Sequence, residues 1–389
     1  MSELTSRERI IKALEHQETD RIPIDIGGIY NLTTLHRDAY INLMDYLGYD
    51  CDEDEAEIAY FNSQSVLIDE EIRQRFKSDC YPLYTSGPGD WELEIHEDED
   101  GRKWYKDEFG IKWQTSGLYY DPVGNPLKDC TVEDIENYPW PDPKDPSRIA
   151  GLKKEAKRIY EETDYCLVLS GPLGGGIYVP CTWFIGYQEF FMKLVMEPEI
   201  VEALLEKIVD FHLGWWEMVL EEIGEYLQVV VLSDDLGTQE APLMRPSMYR
   251  EQIKPAQEKV VSFIKSKADV KVVYHCDGAV SEFIPDMIDI GFDALNPVQV
   301  SAEGMGDTAR LKEEFGDEIS FWGATCDSQN TLSKGTPEEI RQEVKQRVND
   351  LAAGGGLVLA SIHNIQKDVP PENIVAFYDA LYESACDAY

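Results

Sequence analysis

The positions of apolar and polar residues repeat in two alternating patterns along most of this chain. Short runs of β-branched and other apolar residues, typical of buried parallel strands, follow longer segments with apolar residues at helical spacing. The runs predict strands at residues 22–26, 80–83, 166–171, 229–235, 270–274, 292–296, 319–322 and 357–360. Eight strands alternating with helices predict an α/β fold, a (β/α)8 TIM-type barrel, with a doubly wound sheet as the alternative.

A different pattern occupies the region between the second and third predicted strands. Apolar and charged residues alternate from Trp91 to Ile95, a turn follows at Glu99-Asp100-Gly101, and alternation resumes from Lys103. This pattern predicts antiparallel hairpins, and the proline-rich residues 140–146 predict a rigid linker after them. We therefore predict one domain over residues 1–389, with a β-hairpin insertion and linker at residues 85–145.

Polar side chains follow several of the predicted strands. Because the carboxyl ends of barrel strands converge on one mouth, we expect these side chains to lie near one another. Side chains alternate along a strand, so His275 and Asp277 should point to one side and Cys276 to the other. The residues expected at the mouth are Asp25, Asp234, Asp235, His275, Asp277, Asn296, Cys326 and His363.

Two of the six histidines, His275 and His363, lie at strand ends. Together with Asp277 they would form a metal site, to which Cys326 or Asp234 could add a ligand. Such nitrogen, oxygen and sulfur ligands suit zinc, and three protein ligands leave a position open for catalysis. The alternative is a hydrogen-bonded polar mouth without a metal.

The pair Asp234-Asp235 is a candidate for acid–base catalysis, because adjacent carboxylates can raise the pKa of one of them. In the alternative, one of the two faces the mouth and the other caps a helix. For substrate binding the candidates are Asp25, Asn296 and Tyr30.

The charge of the chain restricts its partners. A formal net charge of −40 over 389 residues makes nucleic acid and anionic membrane surfaces poor partners. Acidic runs at residues 52–55 and 97–100 predict solvated surface. The eight cysteines include no Cys-x-x-Cys pair, and neither a secretory leader nor a membrane-spanning run is apparent, so a cytoplasmic location is expected. The oligomeric state is open, with a homodimer among the options.

Several motifs along nearly the full length resemble the uroporphyrinogen decarboxylase-like superfamily. They are Arg7-Glu8-Arg9 with Asp20-Arg21-Ile22-Pro23, Trp140-Pro141-Asp142, Asp234-Asp235-Leu236-Gly237, His275-Cys276-Asp277-Gly278, Leu295-Asn296-Pro297, Trp322-Gly323 and His363-Asn364-Ile365. The resemblance implies a (β/α)8 barrel. It implies one of two chemistries, decarboxylation of a porphyrinogen or zinc-dependent methyl transfer with a corrinoid protein.

Departures from the superfamily patterns distinguish these chemistries. True decarboxylases carry an Arg-Gln-Ala-Gly-Arg segment after the first strand, and the matching residues 24–30 contain no arginine. Enzymes similar to the methylcobalamin:coenzyme M methyltransferases use a His-x-Cys pair and a later Cys; His275 matches the histidine, Asp277 replaces the first cysteine and His363 falls at or near the second. This harder ligand set implies activation of an ether oxygen or another methyl donor, as in O-demethylation.

Residues 210–214 resemble the Asp-x-His-x-x-Gly corrinoid-binding motif only in part, because the glycine comes one residue early. Cobalamin is therefore expected on a separate partner protein. The expected function is methyl transfer between a small methylated substrate and that protein. A cofactor-free decarboxylase or lyase, and a binding protein that has lost the chemistry, are the alternatives.

Overall fold

The predicted apolar runs form a parallel sheet in a computed structural model of the chain, which describes residues 3–49, 51 and 56–388. The strands are β1 (Ile58–Tyr60), β2 (Ser65–Val66), β3 (Cys80–Leu83), β4 (His96–Glu97), β5 (Lys103–Lys106), β6 (Lys112–Ser116), β7 (Tyr119–Gly124), β8 (Cys166–Ser170), β9 (Val229–Ser233), β10 (Lys271–His275), β11 (Ala294–Asn296), β12 (Ser320–Trp322) and β13 (Leu357–Val358). Seven of them pair in parallel in the order β13-β12-β11-β10-β9-β8-β3.

Helices alternate with these strands. They are α1 (Ser6–Leu14), α2 (Arg37–Leu47), α3 (Glu70–Arg75), α4 (Val132–Glu136), α5 (Leu152–Glu162), α6 (Val179–Ile185), α7 (Tyr187–Met196), α8 (Pro198–Ile223), α9 (Pro246–Gln252), α10 (Lys254–Lys267), α11 (Ile284–Ile290), α12 (Thr308–Phe315), α13 (Thr331–Lys334), α14 (Pro337–Leu351) and α15 (Pro371–Asp387). None of the helices in the described residues is both long and apolar enough to cross a membrane.

Residues 22–26, the predicted first strand, do not form a regular strand. They make one parallel bridge, between Ile24 and Leu359. The amide of Asp25 donates to the carbonyl of Leu359 at 2.8 Å, and the amide of Asp79 donates to the carbonyl of Ile24 at 2.7 Å. The segment is thus hydrogen-bonded to the residue that follows β13 and to the residue that precedes β3, which are the two edge strands. The sheet nevertheless has seven regular strands rather than eight. Pro23 supplies no amide hydrogen, which limits ladder pairing in this segment.

The insertion is antiparallel, as its alternating pattern predicts, but the alternating residues 91–95 form no strand and the first strand begins after them, at His96. Strands β4 to β7 form a separate four-stranded sheet in sequence order. Its acidic run at residues 97–100 is exposed apart from the half-buried Asp98, whereas the run at residues 52–55 lies outside the described residues. The insertion therefore adds an antiparallel sheet to the parallel one, and β1 and β2 form a further two-stranded antiparallel sheet.

Side-chain alternation along β10 separates two apolar clusters. Val273 belongs to a small cluster of alternate strand residues, while Val272, Tyr274 and Cys276 belong to the larger cluster that includes the helices. Because side chains alternate along a strand, His275 lies on the same side as Val273. If the alternation continues past the end of β10, Asp277 lies on that side as well. The sheet thereby directs two polar side chains away from the helix layer.

A buried ion network joins α1 to the start of β3. The carboxylate of Asp79, fully buried, accepts hydrogen bonds from Arg9 at 2.7 Å, from Arg21 at 2.8 Å and from the amide of Ile24 at 2.9 Å. We expect Asp79→Ala to lower the free energy of unfolding by about 3–5 kcal/mol, because it removes the buried carboxylate that Arg9 and Arg21 share and leaves Arg9 with Asp20 alone. Urea titration followed by circular dichroism measures this change. Glu161→Ala, at an exposed pair with Lys157, should leave the stability near that of the wild type.

Candidate metal centre

Three side chains converge after the carboxyl ends of β10 and β13. His275 ends β10, Asp277 follows it, and His363 lies five residues beyond β13. A carboxylate oxygen of Asp277, Oδ2, lies 3.6 Å from Nε2 of His275 and 3.8 Å from Nε2 of His363. One potential ligand atom from each residue lies within 4.8 Å of the others. The structure therefore brings together the three residues predicted as the core of a metal site.

The orientation of the His275 ring follows from its neighbour Asn296. The amide nitrogen of Asn296 donates to the carbonyl of Trp322 at 2.8 Å, which turns its Oδ1 toward His275. Nδ1 of His275 lies 2.7 Å from that oxygen and therefore carries the proton. Nε2 of His275 faces Asp277, as in metal-binding histidines, whose other ring nitrogen is held by an acceptor.

His363 is held in a similar way. Its Nδ1 is hydrogen-bonded to Oδ1 of Asn364, whose amide nitrogen donates to Ser65 at 3.2 Å. Oδ1 of Asn364 also accepts from the hydroxyl of Tyr119, the first residue of β7, at 3.1 Å. His363 itself has a left-handed φ of +62°, which is uncommon for a residue with a side chain and frequent at functional sites. The inserted sheet thus takes part in positioning a histidine of the cluster.

The electrostatics of the cluster favour a cation between the three groups. Burial acts to lower the pKa of His275, but the charges of Asp277 and Asp235 outweigh it and raise the pKa to about 9. Burial acts to raise the pKa of Asp277, yet the charges of His275 and His363 hold it below its ordinary value. A negative potential that attracts a proton to His275 also attracts a metal ion.

One buried oxygen atom of the cluster has no hydrogen-bond partner in the described residues. Oδ1 of Asp277 is shielded from solvent and has no hydrogen-bond partner in the described part of the chain. Two zinc ligands at about 2.0–2.1 Å from the ion are about 3.4 Å apart in a tetrahedral site, close to the separations of 3.6 and 3.8 Å from Asp277. Two imidazoles and a carboxylate are also a ligand set that zinc accepts. The residues present therefore fit a zinc ion.

Cys326, predicted as a reserve ligand, is not part of the cluster. Its buried thiol is directed to Oε2 of Glu343 on α14, at 3.6 Å, and burial raises the pKa of that thiol far above its usual range. Cys276 likewise faces the helix layer, where its sulfur accepts from the amide of Leu236 at 3.3 Å. Neither thiol is oriented as a ligand of this site.

The two residues of the Asp234-Asp235 pair have different surroundings. Oδ1 of Asp234 accepts from the amides of residues 177–179 at 2.8–3.0 Å, at the start of α6, and its Oδ2 accepts from Gln257 at 2.8 Å. Both carboxylate oxygens of Asp234 are thus hydrogen-bonded at the start of α6 and to Gln257. Asp234 is neither a reserve metal ligand nor an acid directed at the cluster. Oδ1 of Asp235 instead accepts from the amide of Asp277 at 3.1 Å. Burial, together with the charge of Asp277, raises the pKa of Asp235.

The three predicted substrate residues are also separated. Asp25 is fully buried and accepts hydrogen bonds from the amide of Gly28 at 2.7 Å, from Thr33 at 2.7 Å and from the indole of Trp322 at 3.0 Å. Its carboxyl group is therefore used within the fold and stabilises the residues after the first predicted strand. Asn296 positions His275. Tyr30 lines a different cavity, packed edge-on against Tyr84 with ring centroids 5.2 Å apart.

Sequence reasoning missed the contribution of Tyr119 and Gln366. The amide of Gln366 donates to Oδ1 of Asn364 at 2.7 Å and to the hydroxyl of Tyr119. The alternating pattern of the insertion predicts a strand at Tyr119 but says nothing about what that strand approaches. Only the neighbouring polar pair His363-Asn364 signalled that this segment carries function.

Comparisons with known proteins identify the family. The family model described as uroporphyrinogen decarboxylase (URO-D) matches residues 119–384. This chain belongs to the URO-D family. The resemblance seen in the sequence motifs is therefore confirmed.

Relatives in the URO-D family carry two kinds of name. A uroporphyrinogen decarboxylase of Psychromonas ingrahamii is 26% identical over 69% of this chain and 73% of its own length. The methylcobamide:CoM methyltransferase MtaA of Methanosarcina barkeri is 27% identical over 54% of this chain and 58% of its own length. A solved methyltransferase from Methanosarcina mazei superposes with a TM-score of 0.66 over 98% of this chain and 99% of that one, and its 19% identity shows a shared fold.

The role of Asn296 in the URO-D site can be tested through metal affinity. We expect Asn296→Leu to weaken zinc binding by about 10–100-fold, because the proton of His275 Nδ1 loses the acceptor that orients the ring. Asn296→Asp keeps an acceptor and should retain most of the affinity. Competition with a zinc-binding dye measures both constants. Equal affinities in the leucine variant and the wild type would contradict this positioning role.

Proposed function

We propose that this chain is a metal-dependent methyltransferase that moves a methyl group between a small methylated substrate, an O-methyl compound, and a separate corrinoid protein. One observation carries the proposal: His275, Asp277 and His363 each bring a potential ligand atom to within 4.8 Å of the others. His275, Asp277 and His363 would hold zinc. When bound there, zinc acts as a Lewis acid on the heteroatom that carries the methyl group.

The residues around the ligands support this chemistry. Oδ1 of Asp235 is engaged by the amide of Asp277, so Oδ2 is the oxygen that would give a proton to the leaving alkoxide or phenoxide or take it back. The raised pKa of Asp235 suits this exchange, because a carboxyl group that holds its proton nearer neutral pH is a better general acid. Asn296 and Asn364 keep the two histidines in the tautomer that exposes Nε2.

Space for a substrate adjoins the ligands. A cavity of about 420 Å³ is lined by Asp277 and His363 together with Gln299, Gln329 and Gln366. Its wall combines several amides with a single cation, Lys334, and the carboxyl groups of Asp277 and Asp368, which suits a small polar compound rather than a porphyrinogen with many carboxylates. We further infer that residues 22–26 complete an eighth, irregular position of a (β/α)8 barrel, since they bond to residues next to β13 and to β3.

The corrinoid is proposed to arrive on another protein. The stretch that partly matches a corrinoid motif, residues 210–214, is inside α8, where Nε2 of the buried His212 is hydrogen-bonded to the carbonyl of Gly176 at 2.8 Å. This histidine is occupied within the fold and is not available to cobalt. A separate corrinoid protein is therefore the proposed methyl acceptor or donor.

Decarboxylation of a porphyrinogen is the second candidate, favoured by the names of several relatives. It requires cationic partners for substrate carboxylates, because an unpaired buried carboxylate costs several kcal/mol. Residues 24–30 contain no lysine or arginine. The ligand cluster gives the methyltransferase the better support.

The experiment combines the purified chain with zinc, a reduced corrinoid protein from the same source and a panel of methoxylated and other methylated compounds. We expect the cobalt absorbance to shift to that of methylcobalt with at least one donor. A chain that instead releases carbon dioxide from uroporphyrinogen and methylates cobalt with no donor would be a decarboxylase.

A further inference from the structure

A second cavity, of about 300 Å³, lies between the inserted sheet and the carboxyl ends of β3 and β8. It does not include the metal ligands. Most of the large side chains that line it are aromatic, and they come from the insertion, from β1 and the residues after it, from α6 and α8, and from the loops after β3 and residues 22–26. A cavity with this many ring surfaces selects its ligand by interactions with aromatic rings.

The rings pack mainly edge to face. Tyr30 and Tyr60 have centroids 5.9 Å apart and planes inclined by 65°, and Trp113 and Trp183 have centroids 5.1 Å apart and planes inclined by 70°. Rings at such angles line the cavity with both edges and faces rather than forming one flat stack. The negative faces of several aromatic rings around one space bind an organic cation.

Charge at the cavity has the sign that a cation requires. Glu108 is paired with the buried Arg148, which neutralises both. Asp107 has no cationic partner in the described residues; its oxygens accept from the amides of Phe109 and Ile111 at 2.9 Å and from Nε1 of Trp113 at 2.8 Å. The cavity wall therefore has one carboxyl group without a cationic partner in the described residues, although burial raises its pKa to about 6. The bond from Trp113 also draws its proton toward a carboxylate and makes the indole face more electron-rich.

One polar atom of the wall has no partner. Ser170 ends β8, is only 6% exposed, and its Oγ has no hydrogen-bond partner in the part of the chain that the structure describes. A buried hydroxyl without a partner costs free energy unless a ligand supplies one. A ligand oxygen within reach of Ser170 would satisfy it.

We propose that this aromatic cavity binds an alkylated ammonium group, and that the ligand carries an oxygen that accepts a hydrogen bond from Ser170. This group would be the non-reacting end of a substrate that extends from the cavity beside His363 into the aromatic cavity, an assignment that rests on the proposed methyl transfer. Strand β7 connects the two places: Tyr119 bonds to Asn364 beside His363, and the next residue, Tyr120, packs against Phe61 and Tyr105 of the cavity wall.

The test measures binding to the full chain without corrinoid, by isothermal titration calorimetry and tryptophan fluorescence. The probes are choline, tetramethylammonium, benzoate and 3,3-dimethylbutan-1-ol, the uncharged isostere of choline. We expect choline to bind at least about tenfold more tightly than the isostere, which corresponds to about 1.4 kcal/mol. Equal binding of choline and its isostere, tighter binding of benzoate, or binding of none of them would overturn the proposal.

Matched variants locate the site. Tyr60→Leu removes a ring face and should weaken choline binding about five- to tenfold, whereas Tyr60→Phe keeps the face and should stay within about twofold. Trp183→Leu and Trp183→Phe repeat the comparison if the Tyr60 variants fold poorly in thermal melting. Ser170→Ala should weaken choline binding but leave tetramethylammonium binding unchanged. Loss of both probes to the same extent, or of neither, would refute the role of Ser170.

The outcomes separate this inference from the proposed reaction. A chain that binds choline but never methylates cobalt retains the cation site and refutes the methyltransferase. A chain that methylates cobalt but binds no ammonium probe refutes the cation site alone.

Discussion

Replacement of His275 by alanine should remove zinc from the protein. We expect chain purified without chelator to contain close to one zinc ion, and His275→Ala to contain less than a tenth of that amount. The reason is that two ligands remain, and neither Asp277 nor His363 has another imidazole or thiolate aimed at the same point in the described residues. Elemental analysis by inductively coupled plasma mass spectrometry measures the metal, and His363→Ala and Asp277→Ala should behave alike.

The controls for this prediction are the two nearby thiols. Cys276→Ala and Cys326→Ala should keep the zinc content of the wild type, because these sulfurs contact Leu236 and Glu343 instead of the cluster. Equal zinc loss in Cys276→Ala and His275→Ala would show that the alternation of side chains at the end of β10 is wrong. Wild-type zinc content in all three ligand variants would exclude this metal site.

The second large effect concerns methyl transfer. We expect His363→Ala to slow methylation of the corrinoid protein by more than about a thousandfold, since it removes a metal ligand and the chemistry that depends on it. Asp235→Asn should slow transfer by about 10²–10⁴-fold, the usual contribution of a general acid, while leaving zinc bound. Stopped-flow absorbance of the cobalt centre measures the rate, and metal analysis of the same samples separates the two causes.

A matched comparison strengthens this test. Cys326→Ala keeps the cluster intact and should transfer methyl groups at close to the wild-type rate. If His363→Ala retained both zinc and full transfer, the cluster would not be the reaction site. If Asp235→Asn lost zinc as well as activity, Asp235 would be a ligand rather than a proton carrier.

Much of the fold could be predicted because buried parallel strands have a strong local signature. The apolar runs before Ser170, Ser233 and His275 all became central strands, since continuous β-branched segments are stable only where both faces are covered. Residues 22–26 have a similar composition and length to these strands, but Pro23 removes an amide hydrogen from the ladder and no regular strand forms. Their pairing depends on Leu359, more than 300 residues away, which no local pattern contains.

The candidate site was predictable to different degrees. Alternation along β10 is a local property, so the common side of His275 and Asp277 followed from sequence and is consistent with the cluster around Val273. For Asp234 and Asp235, local pattern left two assignments open. The choice depended on α6, whose first amides lie beside Asp234 and satisfy its carboxylate.

By itself, the sequence determined the parallel strands, the antiparallel insertion and the side of β10 that carries His275 and Asp277, because these features depend on residues a few positions apart. Tertiary structure alone brought His363 to them, turned Cys326 toward Glu343 and placed Tyr119 of the insertion against Asn364. It also gathered the rings around Ser170 and Asp107. These contacts join residues far apart in the chain, so the packing of whole helices and sheets decides them.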